Sequence, residues 1–532
     1  MRSIGLRIRA VVGTTALAVL LAACGGGGDG DASAVGRITA APGSDVLVTQ
    51  DPNPVVARNS PVIAVNPVQP TNMVIVNRVD RPDYGAGVHV TNNGGLDWQD
   101  VTLQRPTGST GKLFAPSAAY DGRGTLYVSF ATLTGPGNDP EALWVTRSGD
   151  GGLTFDEPTR VAGPDAYQMA LAVDARSSRL FAVWLQSTPE ATACNLCFAR
   201  TGLPIVVSRS EDGGRTWSTP ARVSDEGRAR VGAPALAVDR DGNPAVLYVD
   251  YGDDRWDWEN LPGSFEGTFS LVFTRSPDKG LRWEPGQVVD GDIVPTGRFL
   301  VYLPVTPGFA IARNGVLLAV WADARSGDPD VLLRRSGDGG RTWTEPVRVN
   351  RGTVGDGVPQ EMPAVGVAPG GRVDVAYYDR KVDPRGTMVD VVLSSSSDGG
   401  ESFTRNIRLT TRSSSRTVGP QSSPHVHEAD FGSRLAVASL AGGAVVAWTD
   451  TRNGTADTGK QDIFTASVRL SDNTAVGLAF RVLAVGGILL GAAGVTLFVL
   501  SRRARRRHRA PTAEDVDEAR SEASTAHIRL DH

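Results

Sequence analysis

The sequence predicts an all-β protein in which similar four-stranded units form a ring, a β-propeller of seven blades or, as the alternative, of six. Three observations predict this fold class. The 532 residues include 62 glycines and 33 prolines, which favour turns and interrupt helices. One eight-residue turn pattern recurs six times, and two short runs of β-type residues precede its copies. A unit of this size cannot bury both of its faces alone, so the units must stack on one another.

The copies of the turn pattern begin 57, 62, 66, 60 and 60 residues apart. They are 91–98 (TNNGGLDW), 148–155 (SGDGGLTF), 210–217 (SEDGGRTW), 276–283 (SPDKGLRW), 336–343 (SGDGGRTW) and 396–403 (SSDGGESF). An Asp side chain can accept hydrogen bonds from the amides of its own turn, Gly supplies positive φ, and the aromatic ring packs over the turn. Asn93 replaces the aspartate in the first copy. We therefore expect structural roles for the five aspartates of the other copies, Asp150, Asp212, Asp278, Asp338 and Asp398.

This pattern resembles the Asp-box, or BNR repeat, of the sialidase (neuraminidase) superfamily, which reads Ser-x-Asp-x-Gly-x-Thr-Trp. The resemblance covers residues 46–470 and implies an Asp-box β-propeller. Sialidases clamp the substrate carboxylate with three arginines, one of them in an Arg-Ile-Pro motif, and use a tyrosine nucleophile with a glutamate and an acid/base aspartate. No Arg-Ile-Pro occurs here, and Arg78 and Arg81 lie in a different context, NRVDRP. The resemblance therefore assigns no catalytic residue in this chain.

The number of blades follows from the second strand of each unit. Seven β-type runs fit that position, at 73–79, 125–130, 179–184, 245–249, 316–321, 373–377 and 444–448. The seventh unit has a third strand at 463–468 but no Asp-box and no fourth strand after it. Residues 45–50, which precede the first unit, could supply that strand and close the ring. We expect seven blades, with six blades and an irregular terminal segment as the alternative.

Candidate ligand-binding residues lie on the face away from the Asp-boxes. The boxes join strands three and four, whereas an aromatic-x-Asp pattern recurs at the opposite ends of the blades, where strand two ends. Loops around a propeller channel commonly hold ligands, and carboxylate, guanidinium and aromatic groups suit sugars or anionic ligands. Alternatively, these side chains pair with one another or cap loop backbones. The candidates are Asp250, Asp323, Arg325, Asp379, Arg380, Asp450 and Arg452.

Two long insertions follow second strands and resemble rim loops that shape a pocket. They are residues 185–204 and residues 250–269, the latter with two tryptophans. The first insertion contains Cys194 and Cys197, which predict a local disulfide in an exported chain. A redox pair or half of a metal site is the alternative for this spacing.

One histidine cluster, His425 and His427 followed by Glu428 and Asp430, could bind a metal ion. In an extended segment the two histidines would share one face, but the third ligand is a guess. A loop leading into blade seven is the default interpretation. No metal and no cofactor is therefore predicted.

Both ends of the chain carry membrane signals. Residues 1–23 read as a lipoprotein signal peptide, and Leu-Ala-Ala-Cys24 resembles the bacterial lipobox, in which the cysteine is lipidated. An ordinary signal peptide is the alternative. A flexible linker at 24–45 and the propeller at 46–472 follow. The apolar stretch within 476–500 predicts a transmembrane helix, and its flanking arginines predict a cytoplasmic tail at 501–532, basic and then disordered.

These features predict a cell-membrane protein with an extracytoplasmic propeller. The formal net charge of −4, from 54 basic and 58 acidic residues, gives no electrostatic footprint for nucleic acid. We expect recognition of an extracytoplasmic glycan or protein, with membrane lipid as a second partner through Cys24 and the C-terminal helix. The alternative is an exo-α-sialidase-type glycoside hydrolase with rearranged catalytic residues.

Overall fold

The computed structural model describes residues 38–187, 203–228, 230–252, 267–296, 305–383, 385–403, 406–420 and 429–472. Among these residues there is no helix long and apolar enough to cross a membrane. Several predictions lie outside the described residues: the signal peptide at 1–23, lipidation of Cys24, the Cys194–Cys197 disulfide, the role of His425 and His427, the helix at 476–500 and the tail at 501–532.

The described residues form seven antiparallel sheets, and each sheet is one blade of a propeller. The first strand of the chain, β1 (Ile38–Leu47), belongs to the last blade. Blade 1 comprises β2 (Ala57–Val65), β3 (Met73–Arg81), β4 (Gly85–Thr91) and β5 (Gln99–Val101). Blade 2 comprises β6 (Lys112–Tyr120), β7 (Leu126–Thr134), β8 (Asp139–Ser148) and β9 (Thr159–Ala162). Blade 3 comprises β10 (Ala166–Val173), β11 (Leu180–Gln186), β12 (Ile205–Ser210) and β13 (Ala221–Arg222).

The remaining blades repeat this arrangement. Blade 4 comprises β14 (Val231–Val238), β15 (Pro244–Asp250), β16 (Phe269–Arg275) and β17 (Gln287–Ile293). Blade 5 comprises β18 (Gly308–Ile311), β19 (Leu317–Asp323), β20 (Asp330–Ser336) and β21 (Val347–Arg348). Blade 6 comprises β22 (Gln360–Val367), β23 (Val373–Asp379), β24 (Met388–Ser396), β25 (Ile407–Arg408) and the short β26 (Ser414–Ser415), which also pairs with β24. Blade 7 comprises β27 (Ala436–Leu440), β28 (Gly443–Asp450), β29 (Asp462–Asp472) and β1.

The ring closes through β1, as the sequence predicts, and the expectation of seven blades is confirmed. β1 pairs antiparallel with β29 from Ile38 opposite Asp472 to Leu47 opposite Phe464. The propeller start predicted at residue 46 therefore lies inside a strand. The first half of β1 escapes a pattern search because it contains proline and glycine, and the pairing shifts register between Pro42 and Asp45.

The second strands are buried on both faces because each blade packs between two neighbours. Every position of β23 and of β28 is buried, and apolar residues occupy most positions on both faces of these strands. Trp184 and Trp448, on two such strands, are fully buried between blades. The stability of the ring therefore comes from many blade-to-blade contacts, each of which removes apolar surface from water.

Each Asp-box is a self-contained turn with the hydrogen bonds that its sequence predicts. In blade 3, Asp212 Oδ1 accepts hydrogen bonds from the amides of Arg215 (3.0 Å) and Thr216 (2.9 Å), and its Oδ2 accepts one from the Thr216 hydroxyl (2.6 Å). These hydrogen bonds, led by the Thr216 hydroxyl, lower the pKa of Asp212 to about 2. Gly213 and Gly214 adopt φ of 70° and 85°. In the degenerate first box, Asn93 Oδ1 accepts a hydrogen bond from Leu96 N at 3.1 Å.

The two ends of the blades form two distinct faces. The Asp-box face carries the six boxes together with the turns between strands one and two. The mouth face carries the loops between strands two and three and the connections from one blade to the next. The predicted aromatic-x-Asp positions, at the ends of second strands, lie on the mouth face.

Candidate functional site

The candidate residues Asp323 and Arg325 form a structural clamp in blade 5. Asp323, buried at the end of β19, accepts hydrogen bonds from Trp321 Nε1 (3.0 Å), Arg325 N (2.9 Å) and Arg325 Nε (2.8 Å). The Arg325 guanidinium also contacts Asp290 Oδ1 of blade 4 at 2.6 Å. Both side chains therefore hold the loop and the neighbouring blade together.

Blade 7 contains the same clamp. Asp450, fully buried, accepts hydrogen bonds from Trp448 Nε1 (3.0 Å), Arg452 N (2.9 Å) and Arg452 Nη2 (2.6 Å). Arg452 also donates to Asp45 Oδ2 of β1 at 2.7 Å, and its guanidinium carbon lies 4.3 Å from the centroid of the Phe464 ring. This clamp fastens the closing strand to the rest of its blade.

The other three candidates are also engaged by protein groups. In blade 6, Arg380 donates to both carboxylate oxygens of Glu361, at 2.9 and 3.0 Å, and burial raises the pKa of Asp379. In blade 4, Asp250 accepts a hydrogen bond from Arg228 Nη1 at 2.6 Å.

The seven candidates do not converge into one site. They are distributed over blades 4 to 7, and each lies at or just after the end of a second strand, one strand away from the channel. Their contacts in the structure therefore match the alternative interpretation, in which these side chains pair with one another or cap loop backbones.

The channel is bordered by a ring of β-bulges in the first strands. Five of these strands contain a non-glycine residue with positive φ, and each such residue coincides with a register shift against strand two. The residues are Ser60 (54°), Ala115 (47°), Gln168 (56°), Ala233 (51°) and Met362 (53°). Proline follows four of them, at positions 61, 116, 234 and 363. This recurring x-Pro is a second repeat, which was not predicted from the sequence. Each bulge bends its first strand beside the channel.

The bulges surround a polar cavity of about 40 Å³ at the mouth face. Thr306 N donates to Ser433 O at 3.0 Å, and Ser433 N donates to Ser60 Oγ at 2.9 Å, so blades 5, 7 and 1 meet beside it. The cavity is lined by Ser60, Arg78, Ala115, Gln168, Met169, Ala233, Pro234, Thr306, Ser433 and Arg434.

The two arginines of this cavity differ in their surroundings. Arg78 is buried and bonded to Asp80 Oδ1 (2.7 Å) and Asp430 Oδ2 (3.3 Å). Arg434 forms no ion pair with any described residue, and its Nε is buried without a hydrogen-bond partner. Burial, and then the positive charge of Arg78, lower the pKa of Arg434 to about 10. At neutral pH the cavity therefore holds a guanidinium whose charge no described carboxylate balances.

Arg434 is not among the residues predicted from the sequence, because it belongs to no repeat. The segment FGSRL around it has neither an aromatic-x-Asp pattern nor an Asp-box. Gly432, with φ of 87°, was the available signal, since a glycine at a strand entrance indicates a close approach of backbones. A Cβ on Gly432 would lie 2.3 Å from Ser60 Oγ.

An exposed tyrosine lies near this cavity. Tyr84, in the loop between β3 and β4, packs edge-on against Phe114 with 5.1 Å between ring centroids. Arg78 lies over the same Phe114 ring, at 5.5 Å from its centroid. Burial, and then the negative charge of Asp80, raise the pKa of the Tyr84 phenol. The ring thus offers an apolar surface beside the charged groups of blades 1 and 7.

An apolar recess adjoins the polar cavity. It encloses about 110 Å³ between blades 4 and 5, and Thr306 lines both spaces. Its walls include Tyr251, Phe269 and Trp321. The polar cavity and the apolar recess together form an amphipathic mouth.

No group of three or more His, Cys, Asp or Glu side chains suited to a metal ion occurs within the described ranges. His89 is buried in blade 1, where its Nδ1 lies 2.6 Å from Asp100 Oδ1 and its Nε2 lies 2.7 Å from Asn77 Oδ1. Burial lowers the pKa of this histidine. His89 therefore belongs to the packing of its blade.

No protein-family model and no curated protein matches the chain. Solved structures that are similar include a protein of unknown function from Dyadobacter fermentans, with 13% identity, 81% of this chain and 99% of that chain covered, and a TM-score of 0.44. An α-L-arabinanase from Penicillium chrysogenum complexed with arabinobiose shows 13% identity, coverages of 64% and 94%, and a TM-score of 0.42. A Hadza microbial sialidase shows 16% identity, coverages of 77% and 75%, and a TM-score of 0.39. These identities are too low to transfer residues or activities.

The fold that the sequence resemblance implies is confirmed by the chain's own architecture. Seven blades and six Asp-box turns in the predicted positions make the described residues an Asp-box β-propeller.

Proposed function

We propose that the protein is a membrane-anchored recognition module whose mouth cavity binds an anionic group, such as a carboxylate, of an extracytoplasmic glycan. The observation that carries this proposal is Arg434. Arg434 has a buried Nε and no carboxylate partner among the residues that the structure describes. A charged group in this position is costly, and a ligand anion that supplies the missing hydrogen bond removes that cost.

The size of the cavity fits this role. A space of about 40 Å³ accommodates about three water molecules, or a carboxylate in their place. A hydrogen bond to a charged group contributes about 1.5–3 kcal/mol. Since every 1.4 kcal/mol changes a dissociation constant tenfold, Arg434 should account for about 10- to 150-fold in affinity.

A glycan is favoured over other anions by the apolar surfaces beside Arg434. The exposed Tyr84 ring can stack on a sugar face, and the recess that shares Thr306 with the polar cavity can accept an apolar substituent. The Asp-box resemblance supports the same class. The proposed anchors are the lipid on Cys24 and the helix at 476–500, which hold the propeller outside the cell membrane.

Paired ligands test this proposal. The purified protein is screened on an array in which each acidic glycan, sialylated or uronic-acid-containing, is accompanied by its methyl ester. We expect signal on free acids and loss of that signal on their esters, because the ester removes the charge that Arg434 meets. Equal signal on acid and ester would contradict the proposal.

The second candidate is an exo-α-sialidase-type hydrolase, and Tyr84 is the observation that favours it. A phenol close to Arg78 and Asp80 has the group types that a tyrosine nucleophile needs. A fluorogenic sialoside assay separates the candidates. Turnover that disappears in Tyr84→Phe would establish the hydrolase, whereas acid-specific binding without turnover would exclude sialidase activity on that substrate.

A further inference from the structure

We propose that the Asp-box face of blades 7 and 1 lies against the lipid bilayer, so that the mouth face points away from the membrane. This inference rests on the membrane anchoring given under the proposed function. It adds an interaction surface, the exposed apolar side chains Val68 and Leu96, and a partner, the bilayer that carries the chain's own anchors.

The direction of the strands provides the first argument. β28 runs from the Asp-box face to the mouth face, so its antiparallel neighbour β29 runs back and ends at Asp472 on the Asp-box face. β1 begins at the same place, because Ile38 pairs with Asp472. The chain therefore enters and leaves the propeller at one point, at the Asp-box end of blade 7.

The length of chain beyond this point provides the second argument. Three residues, 473–475, separate β29 from the predicted span at 476–500, and three extended residues reach at most about 10 Å. Residues 25–37 separate Cys24 from β1 and allow at most about 45 Å. The mouth face lies about 30 Å farther away, at the far end of β29. The short C-terminal connection brings the Asp-box face, and not the mouth, to the membrane.

The surface next to this point provides the third argument. Leu96, in the first Asp-box, is 76% exposed, and Val68, in the turn between β2 and β3, is 66% exposed. A Cβ on Gly95, beside Leu96, would lie 4.0 Å from Ser467 Oγ of β29, so this box adjoins the strand that leads to the span. Exposed aliphatic side chains beside a membrane anchor fit the interface of a bilayer.

Two other exposed apolar positions supply matched controls. Leu281 occupies the position of Leu96 in the box of blade 4, on the opposite side of the ring, and is 62% exposed. Val382, in the loop after β23, is exposed on the mouth face. Both positions can carry a label without touching the mouth cavity.

The experiment uses the full-length protein in liposomes, with a genetically encoded azide at one position and a click-attached, environment-sensitive donor dye. Energy transfer to acceptor-labelled lipid headgroups is measured for dyes at positions 96, 281 and 382. We expect the highest transfer at 96, less at 281 and least at 382, and a blue-shifted emission at 96 alone. Transfer at 382 equal to or above that at 96 would overturn the inference.

A second variant tests the contact itself. The double variant Val68→Asp and Leu96→Asp should abolish the contact of these two positions with the bilayer. Energy transfer to the lipid headgroups from a dye at position 153, in the box of blade 2, should then fall. Leu281→Asp should leave that energy transfer unchanged. Unchanged transfer in both variants would overturn the contact.

Flotation with the liposomes distinguishes the two proposals. Protein that does not float refutes the anchoring, and the inference with it, while binding to acidic glycans is measured independently. Floating protein with the reversed order of transfer refutes the orientation alone.

Discussion

Replacement of Asp450 by alanine tests whether the aromatic-x-Asp pattern is a clamp or a ligand contact. Asp450 is fully buried and accepts three hydrogen bonds, from Trp448 Nε1, Arg452 N and Arg452 Nη2. Breaking a buried ion pair by removing one partner costs about 3–5 kcal/mol. Arg452 retains Asp45 at 2.7 Å, which places the expected cost at the lower end of that range.

The expected shift in melting temperature follows from the size of the propeller. Unfolding entropy of about 2.1 cal/mol/K per residue gives about 0.9 kcal/mol/K for a body of this length, so Asp450→Ala should lower Tm by about 3–5 °C. The matched control is Asp250→Ala, at the same position in blade 4, where Arg228 retains Asp225 at 3.1 Å and the carboxylate is partly exposed. Its expected cost is about 1 kcal/mol.

Differential scanning calorimetry of the purified protein measures both shifts, and titration with an acidic glycan measures binding. We expect Asp450→Ala to melt earlier and to bind with unchanged affinity below its Tm. An unchanged Tm together with lost binding would refute the clamp and restore Asp450 as a ligand residue.

Two further predictions concern the Asp-boxes. Gly340→Ala should destabilise the propeller by about 3–5 kcal/mol, because φ of 90° strains any L-residue and the new Cβ would lie 2.2 Å from Phe273 Cε1. Gly399→Ala, at φ of 74° with open space around it, should cost only the backbone strain of about 1–2 kcal/mol. Equal urea midpoints for the two variants would contradict this prediction. The pKa of Asp212 is lowered to about 2, so its contribution to stability is complete above the ordinary value of 3.8 and is lost as the pH falls through about 2. The Tm difference between wild type and Asp212→Asn should therefore be constant from pH 7 to 5 and vanish towards pH 2, and a difference that persists at pH 2 would count against the charge as its cause.

The fold was predictable because its determinants are local. An Asp-box is specified within eight residues, since Asp212 bonds to amides three and four positions away, and the second strands are recognisable as apolar runs. The closing strand was predictable only in part. Residues 45–50 have a β-type pattern, but Ile38 joins the strand because it lies opposite Asp472, a pairing that links the two ends of the propeller.

The candidate site was not predictable, because it depends on which side chains lack partners. Arg325 and Arg434 both lie near aromatic residues in the sequence. Arg325 donates hydrogen bonds to Asp323 and Asp290, whereas Arg434 is exposed to the positive charge of Arg78. The Asp290 contact comes from a neighbouring blade and leaves no trace in the local sequence. The charge balance of the channel therefore emerges only when the blades are assembled.

Arg434, and not the clamp arginines, should bind the ligand anion. Isothermal titration calorimetry with the acidic glycan that binds best measures this in wild type, Arg434→Gln and Arg325→Gln. We expect Arg434→Gln to lose about 10- to 150-fold in affinity, and the Kd of Arg325→Gln to stay within about twofold of wild type. Unchanged affinity in Arg434→Gln, with loss in Arg325→Gln, would contradict it.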